Sequence, residues 1–311
     1  MINLGMIGTG RIAKRAVKEI AEVKDIKLTA VYNPNEDHAK TFAKDNGIDQ
    51  AYSEIDKFLE SIDALYIASP HGTHYDYVKQ ALELGKHVIC EKPLTLSEKQ
   101  TISLYEIASD NKLVLIEAVK TAYSPGFKKL CEVVESGAIG EVVDVEAAFT
   151  RLTEGNVREL TDTKTGGAFT EFGTYTMLPI FRFLGTDYTD IKYKTIKAGN
   201  VDGYTKAHFN YSDRFATAKC GLTVKSEGQL LISGTKGYIL VPSPWWLTKY
   251  FEVRYEDPRK IDKYEFAYEG DGLRYEFQEF AKRISVRNCD KIERNESITR
   301  SRVFENFLSN R

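Results

Sequence analysis

The sequence predicts an α/β chain in two parts: a doubly wound parallel sheet over residues 1–119, then an α+β domain over 120–311 with an open, mostly antiparallel sheet. Three observations predict it. Apolar strands alternate with amphipathic helices up to Val119. From Tyr188 to Tyr268, strand follows strand with short turns. No repeat or low-complexity linker intervenes, and 311 residues suffice for one large or two ordinary domains.

In order, residues 2–7 form an apolar strand, and Gly8-Thr9-Gly10 breaks it. Ile12, Ala13, Ala16, Val17 and Ile20 then fall at helical spacing. KLTAVYN (27–33) reads as a second strand, and residues 35–46 as a helix closed by Gly47. Ala51-Tyr52 is a fragment of strand. Ser53 with Asp56 has the form of a capping box, opening a short helix with Phe58 and Leu59. SIDALYIAS ends a strand at Ser69, and Pro70-His71-Gly72 makes a loop. A helix runs from Thr73 or His74 to Leu84, with Gly85 as its stop. KHVICEKPL is a strand ended by Pro93. Ser97 and Gln100 form a second capping box for a helix to about Ser109, and KLVLIEAV is the last parallel strand.

The second part opens with a helix from Ser124-Pro125, closed by Gly137, and the long strand GEVVDVEAAFTR. Residues 151–166 are polar and irregular. Gly166-Gly167 precedes the helix AFTEFGTYTMLPIFRFL, which Pro179 is expected to kink. The strands IKYKTIK, YTKAHFNYS, FATAKCGLTV, GQLLISG, GYILVP, FEVRY and KYEFAY follow, then helices over 272–284 and 297–308.

Hydrophobic residues make up 42% of the chain, enough for a globular core, and the net charge of -2 gives no case for nucleic acid or an acidic membrane surface. Cys90, Cys131, Cys220 and Cys289 are far apart and show no CxxC spacing, which argues against structural zinc and for a reducing compartment. No leader pattern precedes the first strand, and apolar runs such as 113–119 are too short to span a bilayer. These features predict a soluble cytoplasmic protein.

Strand, glycine turn and helix is the order that a dinucleotide site needs. Gly8 permits the turn, Gly10 lets a pyrophosphate approach the backbone, and Ala13 takes the third small position. The helix starting at Arg11-Ile12 offers free N–H groups and a positive dipole end. Asn33 stands where an NAD site usually carries Asp or Glu. Neither a carboxylate nor a following arginine is present there, though Arg11 is close in sequence, so NAD and NADP both stay open.

The order of elements, with EKP ending a parallel strand, resembles the glucose–fructose oxidoreductase, inositol dehydrogenase and rhizopine-catabolism family, Gfo/Idh/MocA. The marks are GTGRIA (8–13), SPHGTH (69–74), HVICEKPL (87–94), LIEAV (115–119), SGAIGEV (136–142), GGAFTEFGTYTM (166–177) and ISGTKGYILVPSPWW (232–246). The resemblance implies a Rossmann domain followed by an open-sheet α+β domain. It also implies hydride transfer between NAD or NADP and a sugar, cyclitol or related polyol, and a homodimer or higher homo-oligomer.

Lys92 ends a parallel strand, where ligands of such sheets gather, and Pro93 biases its backbone to an extended form. Oxidation of an alcohol leaves a proton to be removed and the reverse reaction an oxyanion to be stabilised, and an ammonium beside that oxygen favours its deprotonated form in both directions. Glu91 is expected to orient Lys92 or to bond near the nicotinamide. Glu171 and Tyr175 are four apart and share a helix face. Many members carry D-x-x-x-H there. A tyrosine resembles the subgroup of glucose–fructose oxidoreductase and dimeric dihydrodiol dehydrogenase, where Lys and Tyr act together. A free tyrosine has a pKa of about 10, and a lysine ammonium nearby would lower it.

Ser69, His71 and His74 match a loop that the family places near the cofactor. The two histidines lack further ligands at metal spacing, so no metal is expected. Arg158 matches an arginine that some members use to hold substrate. Where many members read R-x-H-P, this chain has Ala122-Tyr123-Ser124-Pro125, with Lys120 as the nearby cation. Trp245 and Trp246 suit packing, a subunit interface or substrate stacking. The leading expectation is an NAD(P)-dependent dehydrogenase or reductase. The alternatives are a catalytically silent cofactor-binding sensor and a glycosidase with a tightly held NAD.

Overall fold

Six parallel strands in the order β3-β2-β1-β4-β5-β6 carry the N-terminal half: β1 (Ile2–Ile7), β2 (Ile26–Tyr32), β3 (Gln50–Tyr52), β4 (Ala64–Ile67), β5 (His87–Glu91) and β6 (Leu115–Ala118). The helices between them are α1 (Arg11–Ile20), α2 (Glu36–Asn46), α3 (Ile55–Glu60), α4 (His74–Glu83) and α5 (Glu98–Asp110). β1 pairs with β2 on one side and β4 on the other, so the chain reverses direction across the sheet between β1 and β4. Such switch points are where these sheets bind ligands. β4, β5 and β6 are nearly continuous buried runs because both faces are covered; Leu65, Ile67, Val88 and Leu115 join Phe58, Val78 and Leu104 in one core.

The computed structural model describes residues 1–286 and 290–311. Cys289 lies outside them. The chain forms two compact units, Met1–Lys120 with Glu269–Glu305, and Thr121–Tyr268 with Asn306–Arg311. The division differs from 1–119 and 120–311 in two respects: Lys120 falls in the first unit, and Glu269–Glu305 packs with that unit. The reason for the second lies in α10 (Leu273–Val286) and α11 (Lys291–Ser309). Phe277 meets the Tyr66 ring edge-on at 5.0 Å, Arg274 pairs with Glu19 at 3.0 Å, and Arg300 pairs with buried Glu117 at 2.7 Å.

In the second unit, α6 (Lys120–Tyr123), which begins at the last residue of the first, leads into α7 (Pro125–Glu135), β7 (Val142–Thr150), α8 (Arg158–Thr161) and α9 (Ala168–Leu184). β8 (Asp190–Ala198), β9 (Val201–Asn210), β10 (Phe215–Gly221), β11 (Leu230–Gly234), β12 (Gly237–Val241), β13 (Tyr250–Tyr255) and β14 (Ile261–Glu265) follow. The eight-stranded order is β14-β13-β12-β11-β7-β10-β9-β8. Only β7 and β10 pair in parallel. α9 lies on β7, β10 and β9 and stays helical through Pro179.

Three local expectations are corrected. Ser53 does not cap α3; its N-cap is Glu54, without a side-chain bond. Ser97 is the N-cap residue of α5 but makes no cap bond. Glu305 does that work, accepting from the Glu98 N–H at 3.0 Å while Ser97 Oγ donates to its other oxygen at 3.1 Å. α11 starts six residues before Ser297, because Asp290 Oδ1 accepts from the Ile292 N–H at 2.8 Å and fixes the first turn.

Candidate active site

The glycine turn has the form that a pyrophosphate requires. Gly8 has φ +107°, and a Cβ there would lie 2.5 Å from the Ala68 carbonyl oxygen. No L side chain fits both constraints. At Gly10 a Cβ would meet nothing within 4 Å, so a methyl group would project into the open space before α1. Gly10 is the N-cap of α1 and no side chain caps that end. Arg11 is exposed and Ile12 half-buried at the first turn. The uncapped amides and the helix dipole suit an anion. Thr9 Oγ1 accepts from Asn33 Nδ2 at 2.8 Å, and Asn33 Oδ1 accepts from the Asn35 N–H at 2.9 Å. Asn33 therefore ties the end of β2 to the glycine turn. The residues present fit a dinucleotide.

The next strand end is built differently from expectation. Ser69 Oγ and Thr73 Oγ1 are 2.7 Å apart. His71 is half-buried, its ring 5.7 Å from that of His74. His74 is fully buried, and both ring nitrogens face main-chain carbonyls: Nδ1 lies 2.9 Å from Pro93 O and Nε2 2.9 Å from Ser69 O. Expected as a cofactor contact, His74 is spent on the protein's own backbone.

Lys92 follows β5 and is half-buried; its peptide bond to Pro93 is cis. The Leu94 N–H donates to Glu117 Oε1 at 3.2 Å. Glu91 is buried and accepts from the Tyr66 hydroxyl at 2.7 Å. Burial pushes the Glu91 carboxyl up, while the Tyr66 hydrogen bond and the Lys92 and Lys120 charges pull it back. Glu276 on α10 is also fully buried, and neither carboxyl oxygen has a hydrogen-bond partner among the described residues. Burial and the Glu91 charge hold it well above the usual carboxylate range. Lys120, expected on substrate, is nearly buried and donates to the Asp271 carbonyl. Burial and the Arg15 charge push its amine down.

In the second unit, every α9 residue from Ala168 to Phe181 is buried except Glu171 and Tyr175. The helix thus presents one open stripe, and the two candidates make it. Phe149 stacks on Trp246 at 3.7 Å and on Phe172 at 4.3 Å, with the Tyr175 ring 5.3 Å away. Trp245 is structural: fully buried, it donates its indole N–H to Ala148 O at 2.8 Å. Arg158 is exposed at the start of α8. Ser124 is buried and serves as N-cap of α7, accepting from the Phe127 N–H. Tyr66, Glu276 and Phe149, the partner of Trp246, were not singled out from the sequence. A glutamate on the apolar face of α10, among Leu273, Phe277 and Phe280, was the one available signal.

Among the described residues no three His, Cys, Asp or Glu side chains converge as a metal site, and no helix is long and apolar enough to cross a membrane. Cys90, Cys131 and Cys220 are reduced thiols.

A parallel sheet with an open glycine turn at its switch point is the arrangement of a dinucleotide-binding domain. The chain belongs to the Gfo/Idh/MocA family. The model for the oxidoreductase family, NAD-binding Rossmann fold, matches residues 2–119, and that for the Gfo/Idh/MocA C-terminal domain matches 127–240. The chain is 27% identical over 318 residues to the scyllo-inositol 2-dehydrogenase (NADP(+)) of Bacillus subtilis, covering 98% of this chain and 95% of that one. It is 27% identical over 301 residues to the trans-1,2-dihydrobenzene-1,2-diol dehydrogenase of Xenopus laevis, covering 92% and 88%. Its fold matches a 3-ketoreductase from Actinomadura kijaniata, solved with NADP and TDP-benzene, at TM-score 0.84 and 21% identity, over 98% of this chain and 96% of that one. The protein is an oxidoreductase with an NAD(P)-binding Rossmann domain.

Proposed function

We propose that the protein moves a hydride between NAD(P) and a CH–OH or C=O carbon of a sugar or polyol-like substrate, with Lys92, Tyr175 and Glu171 handling the proton. The observation that carries this reading is Lys92 itself. It stands half-buried at the C-terminal end of β5, two strands from β1 and its glycine turn. Two strand spacings are roughly 10 Å, within the length of a dinucleotide. NAD(P), when bound, supplies the hydride acceptor or donor. Gly8, Thr9, Gly10, Arg11 and Ile12 hold its phosphates, Asn33 its ribose end, and Ser69, His71 and the Glu91–Lys92 turn border its other end. The Lys92 ammonium stabilises a developing alkoxide. Tyr175 gives or takes the hydroxyl proton, Glu171 orients that hydroxyl, and Arg158 holds a substrate oxygen. The NADP(+) named for the inositol relative favours NADP.

The open face of the eight-stranded sheet, with Leu231, Tyr238 and Leu240 half-exposed in alternation, suits pairing with a second copy. The expected compartment is the cytoplasm.

The test is a panel of scyllo-inositol, D-xylose and trans-1,2-dihydrobenzene-1,2-diol with NAD and NADP, read as nicotinamide absorbance. Lys92→Ala should cut kcat by about 10²–10⁴-fold and leave NADPH binding, read by fluorescence, within a few-fold. Normal turnover in that variant defeats the assignment. Tight NADPH binding without turnover on a wide panel favours the sensor.

A further inference from the structure

The two main-chain carbonyls that flank His74 belong to different strand ends. Ser69 follows β4, next to Ala68, whose carbonyl walls the Gly8 turn. Pro93 follows Lys92 at the end of β5. His74 is fully buried, so its ring reaches no solute directly. Carbonyl oxygens only accept, so the ring is the donor wherever either contact is a hydrogen bond, and an imidazolium donates at both. On the other side of the same turn, Glu117 takes the Leu94 N–H. Glu117 is itself locked by Ser297 at 2.6 Å and Arg300 at 2.7 Å. The two residues after Lys92 are thus pinned from β6 and from α4, while Lys92 stays half-buried.

We infer that His74 is a positioning residue: it clamps the Lys92 turn to the wall of the glycine crevice and fixes where the ammonium stands. It touches neither substrate nor cofactor. A displacement of about 1 Å at a reacting group can cost about 10²-fold in rate, so a clamp placed here acts on kcat more than on affinity.

This inference rests on Lys92 as the residue that stabilises the developing alkoxide. The test therefore includes a readout that does not. His74→Leu, which keeps bulk and removes both contacts, and His74→Gln, which keeps an N–H donor, are made in the full chain. NADPH affinity is read by fluorescence, kcat with the active member of the substrate panel, and amide hydrogen exchange at 69–74 and 94–97. The expected result for His74→Leu is faster exchange in both segments, a kcat lower by about 10²-fold, and a smaller loss of NADPH affinity. His74→Gln should recover part of the kcat. Unchanged exchange overturns the clamp. Loss of NADPH affinity with kcat intact also overturns it and makes His74 a cofactor residue. If His74→Leu does not fold, His74→Met, which also removes both contacts, takes its place, and native exchange and kcat in it remove the role. Lys92→Ala judges the underlying assignment separately.

Discussion

Tyr66 donates its hydroxyl hydrogen to Glu91 Oε1 across 2.7 Å, and both side chains are buried. The bond joins β4 to β5 immediately before Lys92. Desolvation and the Glu91 charge hold the Tyr66 phenol well above its ordinary range, so it remains a donor. Tyr66→Phe removes the hydroxyl and keeps the ring against Phe277. The carboxyl of Glu91 is then left buried without that partner, at a cost of about 1–3 kcal/mol. Urea unfolding at neutral pH should show the loss, and Glu91→Gln in the Tyr66→Phe background should restore part of it. An unchanged midpoint would mean that water replaces the hydroxyl.

Glu276 makes the pH dependence of stability specific. Its folded-state pKa is raised above the ordinary 4.5 by burial first, then by Glu91. As pH rises past that value, the unfolded chain releases the proton while the folded chain keeps it. Stability therefore falls with rising pH until the folded carboxyl also ionises. Glu276→Gln has no proton to lose. The variant should stand nearest the parent near pH 4.5 and be the more stable of the two at pH 8. Glu91 titrates in both proteins, and Lys120 and Glu19 face the same group. Denaturant midpoints from pH 4.5 to 9 check this, and a pH-independent gap contradicts it.

The parallel half was legible because its apolar strands alternate with helices at glycine and proline stops, and a motif that ends a strand needs no tertiary knowledge to place. Glu171 and Tyr175 were legible for a similar reason, since a four-residue interval fixes a shared face. The cap of α5 was not. Its sequence offers Ser97 and Gln100, but the acceptor is Glu305, brought there by tertiary packing. The same holds for the return of α10 and α11 to the first unit. Helical periodicity reveals an apolar face but does not name the surface that it covers. His74 shows the limit at the site: the spacing of SPHGTH indicates a turn and a helix start, not that both ring nitrogens meet carbonyls.

Asn33 governs coenzyme choice in the proposed reading. It closes the β2 end on Thr9 with an amide, and no carboxylate stands at that strand end to repel a 2′-phosphate. Asn33→Asp keeps the side-chain length and Oδ1, loses the N–H donor to Thr9 and adds a negative charge. NADPH affinity should fall by about tenfold or more, roughly 1.4 kcal/mol, with NADH affinity changed much less. Fluorescence titration with both coenzymes checks it, and a parallel loss for the two would assign Asn33 to turn geometry alone.

Tyr175 is separable from its packing. Its ring lies 5.3 Å from Phe149 within an aromatic group that includes Phe172 and Trp246, and that contact needs no hydroxyl. Tyr175→Phe should therefore keep that ring contact and bind NADPH as the parent does. If the hydroxyl carries the proton, kcat should fall by about 10²-fold or more with the substrate KM changed little. Glu171→Gln, four residues earlier on the same open stripe, should lower kcat less, because it alters a neighbour on that helix face and leaves the hydroxyl in place. Steady-state kinetics on the active panel substrate gives both numbers. A Tyr175→Phe enzyme with the parent's kcat would return the tyrosine to the aromatic group and leave Lys92 to work with water.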